Sequence, residues 1–412
     1  MRRFYTLLFY LLMPLIFLRL GWRGFQSPGY WQRWPERLGW LSQRPTPQGI
    51  WIHAVSVGEV QATVPLIKAL STESIVITTM TPTGAQRVAA LFGERVQHFY
   101  LPYDLPAAMN RFLSQLQPRV AIIMETELWP NLLSACQQHA IPLILANARL
   151  SAQSARRYRY LGRLIQQMLN QITVIAAQTQ LDAQRFQALG APRVQVTGTI
   201  KFDQCLSAVA HQQALKLRQQ WGQRLVWIAA STHEGEEVQV LEAFDTVKTT
   251  LPQLLLVLVP RHPERFDHVA HLCQHRGYTL VRRSQKPSVH LETDIYLGDT
   301  LGDLAMLYAT ADVAFVGGTL VAVGGHNLLE PAAVGLPIIM GQHVFECAEI
   351  SHHLLAQHAA QQVSNASQLS QVVLRLLTDT PLRTQTGQNA RSFFERNQGA
   401  SQKLFALIQP YL

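Results

Sequence analysis

Short runs of β-branched and other apolar residues recur along this chain, each closed by a turn signal and followed by a segment long enough for a helix. The runs are continuously apolar, not alternating. A strand of that kind is buried on both faces, which is the situation of a parallel sheet covered by helices. In the first half the runs predict strands over Ile50–Ala54, Ile75–Thr79, Val96–Leu101, Val120–Met124, Pro142–Ala146, Ile172–Ala177 and Val194–Val196. A polar, Gln-rich stretch then intervenes around Ala210–Gln220. The pattern restarts over Leu225–Ala229, Leu254–Val259, Tyr278–Val281, Asp294–Leu297, Val313–Val316 and Pro337–Met340. Two blocks in 412 residues imply two doubly wound α/β domains facing a central cleft. The expected division is an N-terminal segment 1–22, a first domain 23–203, a linker 204–220 and a second domain 221–412.

The N-terminal segment is of another kind. Phe4 to Leu18 is almost wholly apolar and is interrupted by Pro14. Its length is near the minimum for crossing a bilayer. Arg19, Leu20, Gly21, Trp22 and Arg23 follow, with no small-residue cleavage pattern, so a retained membrane anchor is expected. Arginines crowd its C-terminal side (Arg19, Arg23, Arg33, Arg37, Arg44), which keeps the body of the protein on the cytoplasmic face. Trp22, Tyr30, Trp31 and Trp34 suit an interfacial aromatic belt. Formal charge is +9, and a second basic cluster stands at Arg156, Arg157, Arg159 and Arg163. Beside a membrane segment, such clusters read as contacts to anionic headgroups. The four cysteines form no CxxC pair, which favours a reduced compartment.

Candidate chemistry lies where strands end. Ser56–Glu59, Ser231–Glu234, Thr300–Asp303 and Asn327–Glu330 each set a cap residue three positions before a carboxylate. Each of these acids therefore has a bland role open to it, bonding backbone N–H groups. Val316-Gly317-Gly318-Thr319 and Gly324-Gly325-His326-Asn327 allow a ligand close to the backbone. Pro260-Arg261-His262-Pro263 holds an arginine rigidly after a buried run, as a phosphate clamp would, with pairing to Glu264 as the alternative. Glu125-Thr126-Glu127 places two acids beside Trp129, where a cation or substrate should meet them. Walker-type, GxSxG and GxGxxG signatures are missing, as are HExxH and paired metal spacing.

Taken together, HAVSVGEV (53–60), TTMTPTGAQR (78–87), METELWPNL (124–132), NARLS (147–151), TGTIKFD (197–203), STHEGEE (231–237), VPRHPERF (259–266), GDTLGDL (298–304) and FVGGTLVAVGGHNLLEPAA (315–333) closely resemble the Kdo transferases. That family adds 3-deoxy-D-manno-octulosonic acid (Kdo) to the lipid A precursor. The resemblance implies a GT-B fold, CMP-Kdo as donor, inversion, and no metal or cofactor. It implies a general base at Glu59 and transition-state stabilisation by Glu125 and Lys201. It further implies CMP contacts from Pro260 and Arg261, from Leu301, Gly302 and Asp303, and from Asn327, Leu328, Leu329 and Glu330. Arg261, Lys201 and the helix start near Asn327 would then meet the departing phosphate. The expected partners are the donor, the lipid acceptor and a membrane surface, not nucleic acid, at the cytoplasmic face of the inner membrane. Two other readings stay open on the residues alone. One is a different GT-B nucleotide-sugar enzyme, such as a UDP-sugar transferase or epimerase. The other is a non-catalytic basic module binding membrane or nucleic acid.

Overall fold

The computed structural model describes residues 1–203, 206–285 and 289–412. Its chain divides into two units, Met1–Gln204 with Gln398–Leu412, and Cys205–Asn397. The first unit holds β1 (Ile50–His53), β2 (Ile75–Thr79), β3 (Gln97–Tyr100), β4 (Val120–Met124), β5 (Leu143–Ala148), β6 (Val174–Ala177) and β7 (Val194–Val196) in one sheet. Its order is β3-β2-β1-β4-β5-β6-β7, with parallel pairing throughout. Apolar side chains leave both faces and enter two separate cores, one around Trp51 and Phe112, the other around Ile52 and Ile77. This is why the runs are solid and not alternating.

The second unit repeats the plan with β8 (Val226–Thr232), β9 (Leu255–Pro260), β10 (Leu280–Arg282), β11 (Ile295–Leu297), β12 (Val313–Val316), β13 (Ile338–Met340) and β14 (Ala360–Gln362). These run parallel in the order β10-β11-β9-β8-β12-β13-β14. Strand β14 escapes the sequence reading because its side chains, Ala-Gln-Gln, are short or polar and it closes the sheet edge. In each sheet the order of strand addition switches from one side to the other, between β1 and β4 and between β8 and β12. In open α/β sheets a crevice forms at that point, beyond the carboxyl ends of the strands.

Three expectations are corrected. Most of the presumed linker 204–220 is a helix, Ala208–Trp221, whose Ala214 and Trp221 are buried in the second unit's core. Residues 204 and 205 lie outside the described ones. The chain end does not stay with the second unit. Helix Ala400–Ile408 lays Ala400, Leu404 and Ile408 into the first unit's core. Asp203 accepts the Gly399 N–H (2.7 Å) and the Ser401 N–H (2.5 Å), capping that helix across the sequence. Part of the first arginine cluster is structural. Arg37 is buried, bonds the Met80 carbonyl (3.2 and 3.3 Å) and covers the Tyr100 ring, while Arg33 bonds Glu36 and His98.

The N-terminal helix, Arg2–Gln26, continues through Pro14. Among the described residues it is the one helix long and apolar enough to cross a membrane. It does not stand free. Met13, Phe9, Ile16 and Phe17 pack on Leu105, Ala108 and Tyr103, and the Thr6 hydroxyl bonds Asn131 (3.1 Å). Leu7, Leu11, Leu15 and Leu18, one face at helical spacing, are exposed.

Candidate active site

At the carboxyl edge of the first sheet, β1 delivers Glu59 and β4 delivers Glu125, the two strands that flank the switch. Helix Val57–Ala62 starts as the capping-box spacing predicts. The Ser56 hydroxyl accepts the Glu59 N–H (3.2 Å), and Glu59 Oε2 accepts the Val55 N–H (2.8 Å). The cap is real, yet it does not exhaust the acid. Burial, reinforced by the charges of Glu125 and Glu127 against the two hydrogen bonds, pushes Glu59 up to about 7. Glu127 is itself raised by burial, opposed by the Trp129 indole N–H that it accepts (2.7 Å).

Glu125 adopts a left-handed backbone, φ 56°, an uncommon conformation for a residue with a Cβ. Its N–H remains bonded to the Ala146 carbonyl (2.9 Å), so the turn is held by the sheet. Asn147 is also left-handed, φ 52°, and is buried at the end of β5. Its Oδ1 accepts the Ile200 N–H (3.2 Å) and so fixes the short 3-10 turn Ile200–Asp203 that carries Lys201. Lys201 is exposed, and among the described residues its amine has no ion pair. Sequence reasoning quoted Asn147 only within a motif. The signal available was a polar residue closing a wholly apolar strand.

In the second unit β8 and β12 flank the switch, and one carboxylate ties them together. Glu236, fully buried, accepts the N–H groups of His233 (3.0 Å), Gly318 (2.7 Å), Thr319 (2.9 Å) and Leu320 (2.9 Å). The N–H groups of the Gly317–Thr319 turn were expected to be free for a ligand's anion. Those of Gly318 and Thr319 are taken by the protein's own carboxylate, and that of Gly317 by the Ala230 carbonyl (2.8 Å). Helix Glu236–Thr250 accordingly starts after Gly235, and the Ser231–Glu234 capping box does not form. Glu237, one residue on, receives a two-pronged bond from Arg265 (2.7 and 3.2 Å).

The groups left facing outward are basic. His233 and His326 stack with planes 12° apart and join Nε2 to Nε2 at 2.7 Å. Burial, together with the neighbouring imidazoles and Arg261, lowers His326 to about 4; burial also lowers His233, against the pull of Glu236. The contact requires one ring to donate and the other to accept. Pro260 ends β9, and the Arg261 N–H bonds the Thr232 carbonyl (3.0 Å). The Arg261 side chain is exposed and makes no ion pair among the described residues; it is His262 that approaches Glu264, at 3.9 Å.

The remaining predicted contacts divide. Asn327 caps the turn before helix Leu329–Ala333: its Oδ1 accepts the Leu329 N–H (3.0 Å) and its Nδ2 donates to Glu330 (3.1 Å). The first N–H of that helix is thus spent on Asn327 and not held for a phosphate. Burial raises Glu330, which the Asn327 bond and the Arg261 charge oppose. Leu328 and Leu329 point into the core, leaving only backbone for a ligand. Asp303 is bonded by Arg283 (2.5 Å) and Thr300 (2.6 Å), which hold its carboxyl low although burial works the other way. Leu301 is exposed, and Gly302 has φ 91°. Among the described residues no three His, Cys, Asp or Glu converge as a metal site.

Residues 32–204 match the family model described as 3-deoxy-D-manno-octulosonic-acid transferase, and residues 227–393 match glycosyl transferases group 1. The 3-deoxy-D-manno-octulosonic acid transferase of Haemophilus influenzae is 43% identical over 100% of this chain and 99% of its own length. That of Bordetella pertussis is 36% identical over the same shares. In fold, the UDP-GlcNAc 2-epimerase from Neisseria meningitidis superposes with a TM-score of 0.60 at 14% identity, covering 88% of this chain and 99% of that one.

Proposed function

The chain belongs to the 3-deoxy-D-manno-octulosonic acid transferase family, and we propose that it moves Kdo from CMP-Kdo to a sugar hydroxyl of the lipid A precursor, with inversion and without a metal. The observation that carries the reading is Glu59. It is a carboxylate at the switch in strand order, anchored through one oxygen and pushed to about 7, where a general base works best. It takes the proton of the acceptor hydroxyl as that oxygen forms the new bond to the anomeric carbon. The bond from that carbon to the CMP phosphate breaks on the opposite side, and the electron pair leaves with CMP.

The sugar gains oxocarbenium character during this exchange. Glu125, held in its left-handed turn, and Lys201, held through Asn147, are the first unit's charges for the transition state. On the second unit, Arg261 with the His233–His326 pair supplies donors for the leaving phosphate, and Asn327, Glu330 and the 301–302 backbone serve the nucleotide. A monophosphate carries less charge than a diphosphate, so Arg261 and Lys201 suffice as its cations. The exposed Arg156, Arg157, Arg159 and Arg163 suit a phosphorylated acceptor at an anionic surface. The N-terminal helix rests in the plane of the cytoplasmic leaflet of the inner membrane. Its docked face holds the domain and its exposed leucines enter the lipid. A free spanning pose would strip the Leu105–Ala108 contacts.

Mass spectrometry of lipid A precursor incubated with CMP-Kdo and the protein tests donor, acceptor and product together. A Kdo-sized mass increase is expected, with CMP a better competitor than UDP. No addition, or stronger inhibition by UDP, refutes the reading.

A further inference from the structure

A cavity of about 310 Å³ lies under the first turns of the N-terminal helix, against helices Pro106–Leu116 and Pro130–Gln138. We propose that it receives the phosphate headgroup of an anionic phospholipid from the bilayer. Arg2 and Arg3 line it, and among the described residues neither has an ion-pair partner. Asp104 feels the charge of Arg2 but is already bonded by the N–H groups of Asn131 (3.0 Å) and Leu132 (2.8 Å). Two unpaired guanidiniums at one concavity match a phosphate.

The polar lining is built and not incidental. Ser134 lines the cavity with 5% of its surface exposed, and its hydroxyl, which has no hydrogen-bond partner among the described residues, opens into the cavity. A hydroxyl open to the cavity is free to donate to a bound phosphate oxygen. Asn131, 3% exposed, is clamped by the Thr6 hydroxyl (3.1 Å) and the Asp104 carbonyl (2.7 Å), so this wall keeps its shape.

The source of the phosphate follows from the rim. Leu7 lines the cavity and is itself 59% exposed. It begins the stripe that continues through Leu11, Leu15 and Leu18. A headgroup held by the arginines would lay its acyl chains along that stripe. A soluble phosphate would leave the stripe bare. The site would thereby set the helix in the interface at a fixed depth and rotation.

The test uses the full chain and vesicles of phosphatidylcholine, alone or mixed with phosphatidylglycerol. The wild-type protein should prefer the mixed vesicles, and Arg2→Gln and Arg3→Gln should each cost roughly five-fold in that preference. Ser134→Phe fills the cavity floor and Gln138→Trp its exposed rim, with every charge left in place. Both should lose the preference while transferring Kdo to detergent-dispersed acceptor normally. If Ser134→Phe misfolds by circular dichroism, Gln138→Trp decides alone. Wild-type preference in the cavity-filled variants, with loss only in the arginine variants, would mean a diffuse field and overturn the proposal. So would displacement from the vesicles by inorganic phosphate as effective as by short-chain phosphatidylglycerol.

Discussion

Glu59 has two roles in one side chain, and they pull its proton in opposite directions. As a cap it accepts an N–H, which favours the ionised form; as a buried group among Glu125 and Glu127 it resists ionising, and burial wins. Its folded pKa, about 7, is above the ordinary 4.5, so its contribution to stability is full below about 4.5 and is lost as the pH rises through about 7. Glu59→Gln keeps an oxygen for the Val55 N–H and never ionises. Its melting temperature should match the wild type near pH 4 and exceed it by a few degrees at pH 8, while turnover falls by about 10²-fold or more. A variant that melts lower at pH 8, or that turns over normally, removes Glu59 from the role of base. Wild-type kcat/KM should climb with pH through about 7 as the base form fills. The position of Glu59 was legible from Ser56-Val57-Gly58-Glu59, because a cap is local. Its pKa was not, because the burial and the two other acids come from β4, far along the chain.

The element that differs most from expectation is the glycine turn after β12. Its sequence reads as an anion cradle, yet Glu236 has already filled it, accepting three N–H groups of the turn and that of His233. Glu236→Gln would turn an N–H toward those N–H groups. Losses of about 1.5–3 kcal/mol in the second unit's stability are expected for hydrogen bonds to a charged group, measured by denaturant unfolding. KM for CMP-Kdo should rise with it, since His233 and the His326 loop are hung on this carboxylate. Unchanged stability and KM would show the turn to be held otherwise. The N-terminal helix was legible as an apolar segment, while its docking was not. Hydropathy counts residues along the chain and is blind to which of them Leu105, Ala108 and Tyr103 cover. Substituting glutamine for Leu11, Leu15 and Leu18 should slow transfer to bilayer-embedded acceptor and leave the detergent-dispersed reaction intact. Equal loss in both would argue against a lipid-facing stripe.

At the scale of the molecule, the chain returns to its first unit for its last residues. Leu404→Ala should destabilise that unit by about 2–5 kcal/mol. Hydrogen exchange should show the loss around β1 and helix Val64–Ala69, which share its core, and leave β8 and β9 protected. Equal deprotection of both units would contradict the division. The amino-acid sequence by itself determined that there are two parallel α/β blocks, where their central strands run, and which turns carry Glu59, Glu125, Arg261 and Glu330. Those are consequences of solid apolar runs and of caps, both set by residues a few positions apart. Tertiary structure alone decided the crossing of Gln398–Leu412, the self-filled glycine turn, the pairing of Asp303 with Arg283, and the docked face of the N-terminal helix. Each depends on a partner whose distance along the chain carries no local signal: Asp203 for the final helix, Glu236 for the turn, Arg283 for Asp303, Asn131 for Thr6.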